Sequence, residues 1–105
     1  FDTCHAFAAG YDLRNPESVQ KTLVELERGV GVGLLRAVHA NDSKGQLGSH
    51  LDRHEHIGMG HIGEQGFKAI LHADTFRKLP IILETPIDKR RTDIMNLRKL
   101  RALAS

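Results

Sequence analysis

Several features are scarce in this chain, and each absence excludes a class of protein. Cys4 is the only cysteine, so no internal disulfide can form. No charged segment followed by an apolar run opens the chain, and we therefore expect an intracellular, cytoplasmic protein. No apolar stretch approaches the roughly 20 residues that a membrane helix needs, so we expect no membrane partner.

Length and charge narrow the possibilities further. A chain of 105 residues is too short for a complete α/β barrel of about 250 residues, so we expect one small domain or a piece of one. The 15 Lys and Arg against 13 Asp and Glu leave a net charge of +2, so any contact with DNA must be local. The chain opens at Phe1 and continues into the polar run 2–5, as though a preceding strand were missing, which favours a fragment.

Helical periodicity predicts three helices. The first begins at Asn15-Pro16-Glu17, where Asn is the N-cap, Pro takes the first helical position and Glu lies at the positive end of the dipole. The second ends near Asp74, and Thr92-Asp93 caps the third. The apolar residues expected to face the core are Val19, Leu23 and Leu26; Phe67, Ile70 and Leu71; and Ile94, Leu97 and Leu100.

Two short apolar runs, Leu34 to Val38 and Leu79 to Leu83, are typical of buried strands. Residues 40–60 show no sustained period and predict a long loop, which in a compact domain is usually functional or disordered. The alternation of helices and strands predicts an α/β fold with a parallel sheet. Ligands bind at the carboxyl ends of such strands, where the polar residues of this chain fall.

Seven histidines are the compositional anomaly, because neutral imidazole is a common metal ligand. Imidazoles mixed with carboxylates supply the nitrogen and oxygen donors that zinc binds. Several carboxylates gathered at strand ends would repel one another unless a cation neutralised them. The candidate ligands are Asp2, His5, His39, Asp52, His54 and Glu84.

Spacing constrains how these candidates share ions. Asp52 and His54 are two residues apart, so in an extended segment both side chains point the same way and can hold one ion. Asp2 and His5 are three apart and would face opposite sides of a strand. Either the chain leaves extended geometry after Asp2, or the two residues bind different ions.

The remaining motifs favour structural roles. His54-Glu55-His56 lacks zinc-protease spacing because residue 58 is Gly, and no lysine follows the run 58–63, so it is not a phosphate-binding loop. We expect Cys4 to be a small buried residue. His50, His61 and His72 are expected on the surface without a special role. A solvated helix face, with phosphate contacts as the alternative, is expected for the basic residues Lys89, Arg90, Arg91, Arg98, Lys99 and Arg101.

Four segments resemble, in order and spacing, the last third of the endonuclease IV family of apurinic/apyrimidinic endonucleases. They are residues 2–12 (DTCHAFAAGYD), 39–44 (HANDSK), 48–54 (GSHLDRH) and 82–86 (ILETP). This resemblance covers nearly the whole chain. It implies a zinc-dependent (β/α)8 TIM barrel, of which residues 1–105 would supply the C-terminal portion, roughly the last three βα units.

The resemblance also implies ligand sets. His5, Asp52 and His54 match the complete protein ligand set of one zinc, and Asp2, His39 and Glu84 match ligands of a second, so that Glu84 is catalytic as a metal ligand. The family's complete site holds three zinc ions. Its bridging glutamate, the two histidines of its third zinc and its tyrosine-bearing DNA loop have no match in this chain.

The reaction implied by the resemblance belongs to base excision repair. A zinc-activated water hydrolyses the phosphodiester on the 5′ side of an abasic site in double-stranded DNA. Lys44 and Arg53 are candidates for phosphate contacts, although Arg53 bracing its ligand neighbours is an alternative. The chain by itself is expected to lack activity, and its uncovered strand edges favour self-association.

Two other interpretations stay open. The first is a metal-dependent sugar isomerase or epimerase, whose barrels also carry carboxylates and histidines at strand ends. The triplet Asp52-Arg53-His54 favours the nuclease over this class. The second is a fragment that binds zinc without any catalysis.

Overall fold

The computed structural model describes all residues 1–105, in which helices alternate with short strands. A 3₁₀ turn, Val32–Leu34, precedes the first strand. None of the helices is long and apolar enough to cross a membrane. The helices and strands are α1 Thr3–Ala8, α2 Pro16–Gly29, β1 Val38–His39, β2 Asp42–Ser43, β3 His54–Glu55, α3 Gly63–His72, α4 Asp74–Arg77, β4 Ile81–Ile82 and α5 Asp93–Ala104.

Three chain segments lie side by side in parallel and form the sheet. β1 pairs with β4, with Val38 opposite Ile81. On its other side β1 meets the start of the chain, where Asp2 forms a parallel bridge with His39. Because parallel segments end at the same edge, the residues that follow them converge there. The predicted parallel α/β arrangement is therefore confirmed.

The predicted strands are longer than those observed. In the run from Leu34 to Val38, only Val38 is in a strand. Leu34 lies in the 3₁₀ turn and is 68% exposed, since the backbone around Gly31, with φ of 85°, turns before the chain reaches β1. In the second run, only Ile81 and Ile82 pair with a neighbour.

The capping predictions are confirmed, because they depend on local chemistry. The Asn15 side chain accepts a hydrogen bond from the backbone N–H of Ser18 at 2.9 Å, and Pro16 is the first residue of α2. Thr92 caps α5 by accepting from the N–H of Met95 at 3.2 Å. The α2 face is also as predicted, with Val19 and Leu23 buried and Leu26 packed against the core.

The predicted face of α5 is wrong. Ile94 is 62% exposed and Leu97 is 40% exposed, whereas Leu100 is buried as expected. The helix instead buries Asn96, whose amide oxygen accepts from the N–H of Ile57 at 3.1 Å. Because Asn96 finds hydrogen-bond partners in the interior, the buried face of α5 differs from the face that hydrophobicity alone indicates.

The long loop, residues 40–60, is organised by the buried carboxylate of Asp42. Asp42 is 0% exposed. Residues 40–60 contain one antiparallel strand pair, β2 with β3. Burial raises the pKa of Asp42, and the backbone donors oppose that rise. The N–H groups that donate to its two oxygens at 2.8 to 3.4 Å belong to Ser43, Gly58, Gly60, Ile62 and Gly63.

We expect Asp42→Asn to lower the free energy of unfolding by about 3 kcal/mol, because an amide NH2 cannot accept from the N–H groups that one carboxylate oxygen now satisfies, those of Gly58, Gly60 and Gly63. Urea unfolding followed by circular dichroism measures the change. Asp74→Asn is the matched control, since the Asp74 side chain is 91% exposed. Equal losses in the two variants would contradict the assigned role of Asp42.

Candidate metal centre

All six predicted ligands lie in one connected group, which we call the six-residue cluster. Its members are Asp2, His5, His39, Asp52, His54 and Glu84. They come from the sheet edge, the start of α1, the loop before β3 and the first residue of β3. Every predicted candidate is therefore brought to the carboxyl end of the parallel sheet.

The helix α1 explains how Asp2 and His5 can serve one site. Asp2 is extended, with φ of −105° and ψ of 120°, and the helix begins at the next residue. The Asp2 carboxylate accepts from the backbone N–H of His5 at 2.9 Å and so caps the helix. Of the two possibilities that spacing left open, the chain leaves extended geometry directly after Asp2.

His5 and Asp52 form the first contact of the cluster. The Nδ1 atom of His5 lies 3.0 Å from Oδ2 of Asp52. This hydrogen bond raises the pKa of His5 and lowers that of Asp52. The loop that carries Asp52 is fastened to α1, because the N–H groups of Gly48 and His50 donate to the carbonyls of Phe7 and Ala8 at 3.0 and 2.9 Å.

His54 is oriented by a backbone carbonyl. Its Nδ1 atom donates to the backbone carbonyl of Glu84 at 2.7 Å, which leaves Nε2 as the free ring nitrogen. Nε2 lies 3.8 Å from a carboxylate oxygen of Asp2 and 3.9 Å from one of Asp52. These separations exceed hydrogen-bond length. An imidazole lone pair that faces two carboxylates across a gap fits a cation, and histidine ligands commonly donate their other ring N–H to a carbonyl.

The second group joins the three parallel segments. One ligand atom each from Asp2, His39 and Glu84 lies within 4.8 Å of the others. His39 Nδ1 is 2.5 Å from Oε1 of Glu84. Zinc binds mixtures of imidazole nitrogen and carboxylate oxygen such as this one, whereas magnesium favours oxygen ligands alone. The residues present therefore fit a zinc site.

Cys4 lies beside the cluster, within 4.8 Å of ligand atoms of Asp52 and His54. Its side chain is buried, as predicted, and its thiol donates to the carbonyl of Arg53 at 3.3 Å. Burial raises the pKa of Cys4 to about 12. Because only the thiolate binds metal well, this environment favours His5 over Cys4 as the partner of Asp52 and His54.

Lys44 and Arg53 lie next to the cluster, where Lys44 directly follows β2 and Arg53 directly precedes β3. The N–H of Lys44 donates to the carbonyl of Arg53 at 3.0 Å. Both residues are exposed, and neither side chain takes part in a hydrogen bond or an ion pair. Arg53 therefore does not brace its ligand neighbours, and both cations are available to a phosphate.

A buried polar network behind β3 was not foreseen from the sequence. His56 is 0% exposed, and its Nε2 atom lies 2.9 Å from a carboxylate oxygen of Asp88. Its Nδ1 atom accepts from the amide of Asn96 at 2.8 Å, and that amide also reaches Thr85 Oγ1 at 3.0 Å. Thr85 follows Glu84, so the network supports the segment that carries this ligand. The one signal of this network in the sequence is that His56 continues the polar run after His54.

Comparison with known proteins agrees with this geometry. A model of the xylose isomerase-like TIM barrel family matches residues 1–103. The chain belongs to the xylose isomerase-like TIM barrel family. It is 59% identical over 104 residues to a probable endonuclease 4 of Methanoculleus marisnigri, covering 99% of this chain and 37% of that protein. A probable endonuclease 4 of Nitrosopumilus maritimus is 52% identical over 103 residues, covering 98% of this chain and 37% of the relative.

A solved structure supports the same fold. The crystal structure of endonuclease IV from Thermus thermophilus matches with a TM-score of 0.76 and 40% identity, covering 97% of this chain and 35% of that one. The chain thus spans about 37% of the length of the curated relatives and forms part of a barrel. The predicted fold class and the resemblance to endonuclease IV are confirmed.

The contacts of Asp88 predict how stability responds to acid. Hydrogen bonds from Arg90, and then from His56, hold the pKa of the Asp88 carboxyl well below its usual range. A depressed folded pKa adds stability that is complete above about pH 4 and is lost as the pH falls toward the folded value. We expect the free energy of unfolding to fall more steeply below about pH 4 in the wild type than in Asp88→Asn.

Urea unfolding at a series of pH values tests this expectation. Asp74→Asn serves as the control, because the Asp74 side chain is 91% exposed, and its profile should follow that of the wild type. Parallel profiles for the wild type and Asp88→Asn would show that the Asp88 contacts add nothing to acid stability.

Proposed function

We propose that this chain forms part of the active site of a zinc-dependent endonuclease that repairs DNA by hydrolysing the phosphodiester on the 5′ side of abasic sites. The observation that carries the proposal is the six-residue cluster, in which three imidazoles and three carboxylates meet at one sheet edge. The name endonuclease 4 of similar proteins supports the substrate class.

In this proposal the six residues form two ligand groups, one for each zinc. His5, Asp52 and His54 hold one zinc, and Asp2, His39 and Glu84 hold a second, so the catalytic role of Glu84 is that of a ligand. The exposure of the cluster favours access by a macromolecule, since the His5 side chain is 72% exposed and that of Glu84 51%. When bound, zinc supplies the Lewis acidity that activates water near neutral pH and neutralises phosphate charge.

The chain's own residues position the DNA. Lys44 and Arg53 are unpaired cations beside the cluster, and we assign them to the phosphates that flank the abasic nucleotide. An abasic nucleotide has no base pair to break, so it is cheap to extrude into an active site. With a net charge of only +2 on the chain, such local contacts must orient the substrate.

Two other functions remain as alternatives. A sugar isomerase or epimerase would use the same sheet edge, but a small sugar gives no role to unpaired cations outside the ligand groups. A zinc-binding chain without catalysis would bind the ion and leave DNA intact. Such a chain would expose apolar residues such as Ile87, which is 97% exposed, and self-association would follow. For the endonuclease we also propose a cytoplasmic location.

The first test is zinc binding by the purified chain. We expect one tightly bound zinc, held by the complete set of His5, Asp52 and His54, and a second, weaker equivalent at Asp2, His39 and Glu84. The substitutions Asp52→Asn and His54→Ala should each weaken binding by more than the roughly 10- to 100-fold that follows loss of a residue that only orients a ligand. Competition with a chromophoric chelator and elemental analysis measure the affinity and the stoichiometry.

His72→Ala provides the control for these substitutions. His72 is an exposed histidine at the end of α3 that contacts only the carbonyl of Lys68, at 2.7 Å. It should retain wild-type zinc affinity. If the zinc content of Asp52→Asn and His54→Ala equals that of the wild type, the proposed ligand set is wrong.

The second test is incision of a duplex that contains one abasic site. The chain alone should not incise it, with or without zinc. A chimera in which this chain replaces the matched 35% of the Thermus thermophilus endonuclease IV should cleave on the 5′ side of the site. Lys44→Ala and Arg53→Ala in the chimera should raise KM with little change in kcat, because they remove phosphate contacts.

Lys78→Ala is the matched control for the cations, since Lys78 is exposed and follows α4. A chimera that folds and binds zinc but leaves the abasic duplex intact would count against the nuclease. Incision by the chain alone would show that it is catalytically sufficient without the rest of the barrel.

A further inference from the structure

Asn41 lies between the segments that carry three of the proposed ligands. It follows β1 two residues after His39, and it is 0% exposed. Its backbone N–H donates to the hydroxyl oxygen of Thr3 at 2.9 Å, and that hydroxyl donates back to its carbonyl at 2.6 Å. Thr3 is the residue after Asp2. Asn41 therefore ties the segment of Asp2 to that of His39.

The side chain of Asn41 makes the third connection. Its Oδ1 atom accepts from the backbone N–H of Glu84 at 2.8 Å. The donor is an N–H, so the amide oxygen faces Glu84 and the amide nitrogen faces elsewhere. A single buried residue thus contacts all three segments of the sheet edge at the places where Asp2, His39 and Glu84 leave it.

The amide nitrogen of Asn41 is the one buried side-chain polar atom without a partner. A buried donor without a partner destabilises a fold, so the amide is a poor choice for stability alone. Its acceptor, by contrast, has a defined role: it sets the position of the Glu84 backbone. The amide oxygen has a partner and the amide nitrogen has none. This difference indicates that Asn41 serves the position of Glu84 in the metal group rather than stability.

We propose that Asn41 is a positioning residue, which holds the Glu84 backbone in register with Asp2 and His39 so that these three side chains can bind the second zinc. The inference rests on the proposed function, since it takes this group as a zinc site. It adds a residue outside both ligand sets. Residues that orient ligands without touching the metal typically weaken metal binding by about 10- to 100-fold when they are lost.

The test compares the two zinc equivalents of the purified chain by titration with zinc alone, using chelators of graded affinity. Glu84→Gln marks the second, weaker equivalent, and His54→Ala marks the first. We expect Asn41→Ala to weaken the second equivalent at least about tenfold while the first changes less than about threefold. A purely structural role would lower the melting temperature without separating the two equivalents.

Thr22→Val is the matched control, because it removes another buried side-chain hydrogen bond, from Thr22 Oγ1 to the carbonyl of Asp12 at 3.0 Å. It should leave both equivalents unchanged. If Asn41→Ala does not fold, Asn41→Ser takes its place, because the serine side chain is one atom too short to reach the N–H of Glu84.

The outcomes separate this inference from the proposed function. Two zinc equivalents that Asn41→Ala weakens to the same extent, or not at all, would overturn the positioning role alone. So would a wild-type chain that binds one zinc through His5, Asp52 and His54 and shows no second equivalent. A wild-type chain that binds no zinc would overturn the proposed function, and the positioning role with it.

Discussion

The candidate site depends on the parallel pairing of β1 with its two neighbours. β1 lies between the start of the chain and β4, so three segments that are far apart in sequence end at one edge. Asp2, His39 and Glu84 then meet at that edge, where His39 contacts Glu84. A slip of one residue in either pairing would turn a ligand to the opposite face of the sheet. The register of two very short strands is therefore what makes a metal group possible.

The second half of the cluster depends on a loop rather than on the sheet. Asp52 and His54 approach His5 because the loop before β3 is hydrogen-bonded to the carbonyls of Phe7 and Ala8 at the end of α1. Asp42 holds the segment that follows β3 through backbone N–H groups, with a carboxylate oxygen 2.9 Å from the N–H of Ile62. Hydrogen bonds to backbone groups thus hold the chain on both sides of β3, which limits how far Asp52 and His54 can move.

Whether a feature could be predicted from the sequence depends on how far apart along the chain its interacting residues lie. The caps at Asn15 and Thr92 were predictable because they involve residues three apart. The meeting of Asp2, His39 and Glu84 was predictable because each lies where a parallel segment ends. The face of α5 was not, because Asn96 is buried by partners on distant segments that hydrophobic periodicity does not register. Asn41 was missed for the same reason: its sequence neighbours do not reveal that Glu84 is its partner.

Hydrogen bonds to the backbone explain why so exposed a group is well defined without a hydrophobic surround. His5 and His39 each contact a carboxylate, and His54 faces two. Exposed pairs of this kind contribute little to stability, because solvent screens them. The hydrogen bonds that fix the cluster instead involve the backbone, such as that from His54 to the carbonyl of Glu84. The ligand side chains are thereby left free to exchange their contacts with each other for contacts with a cation.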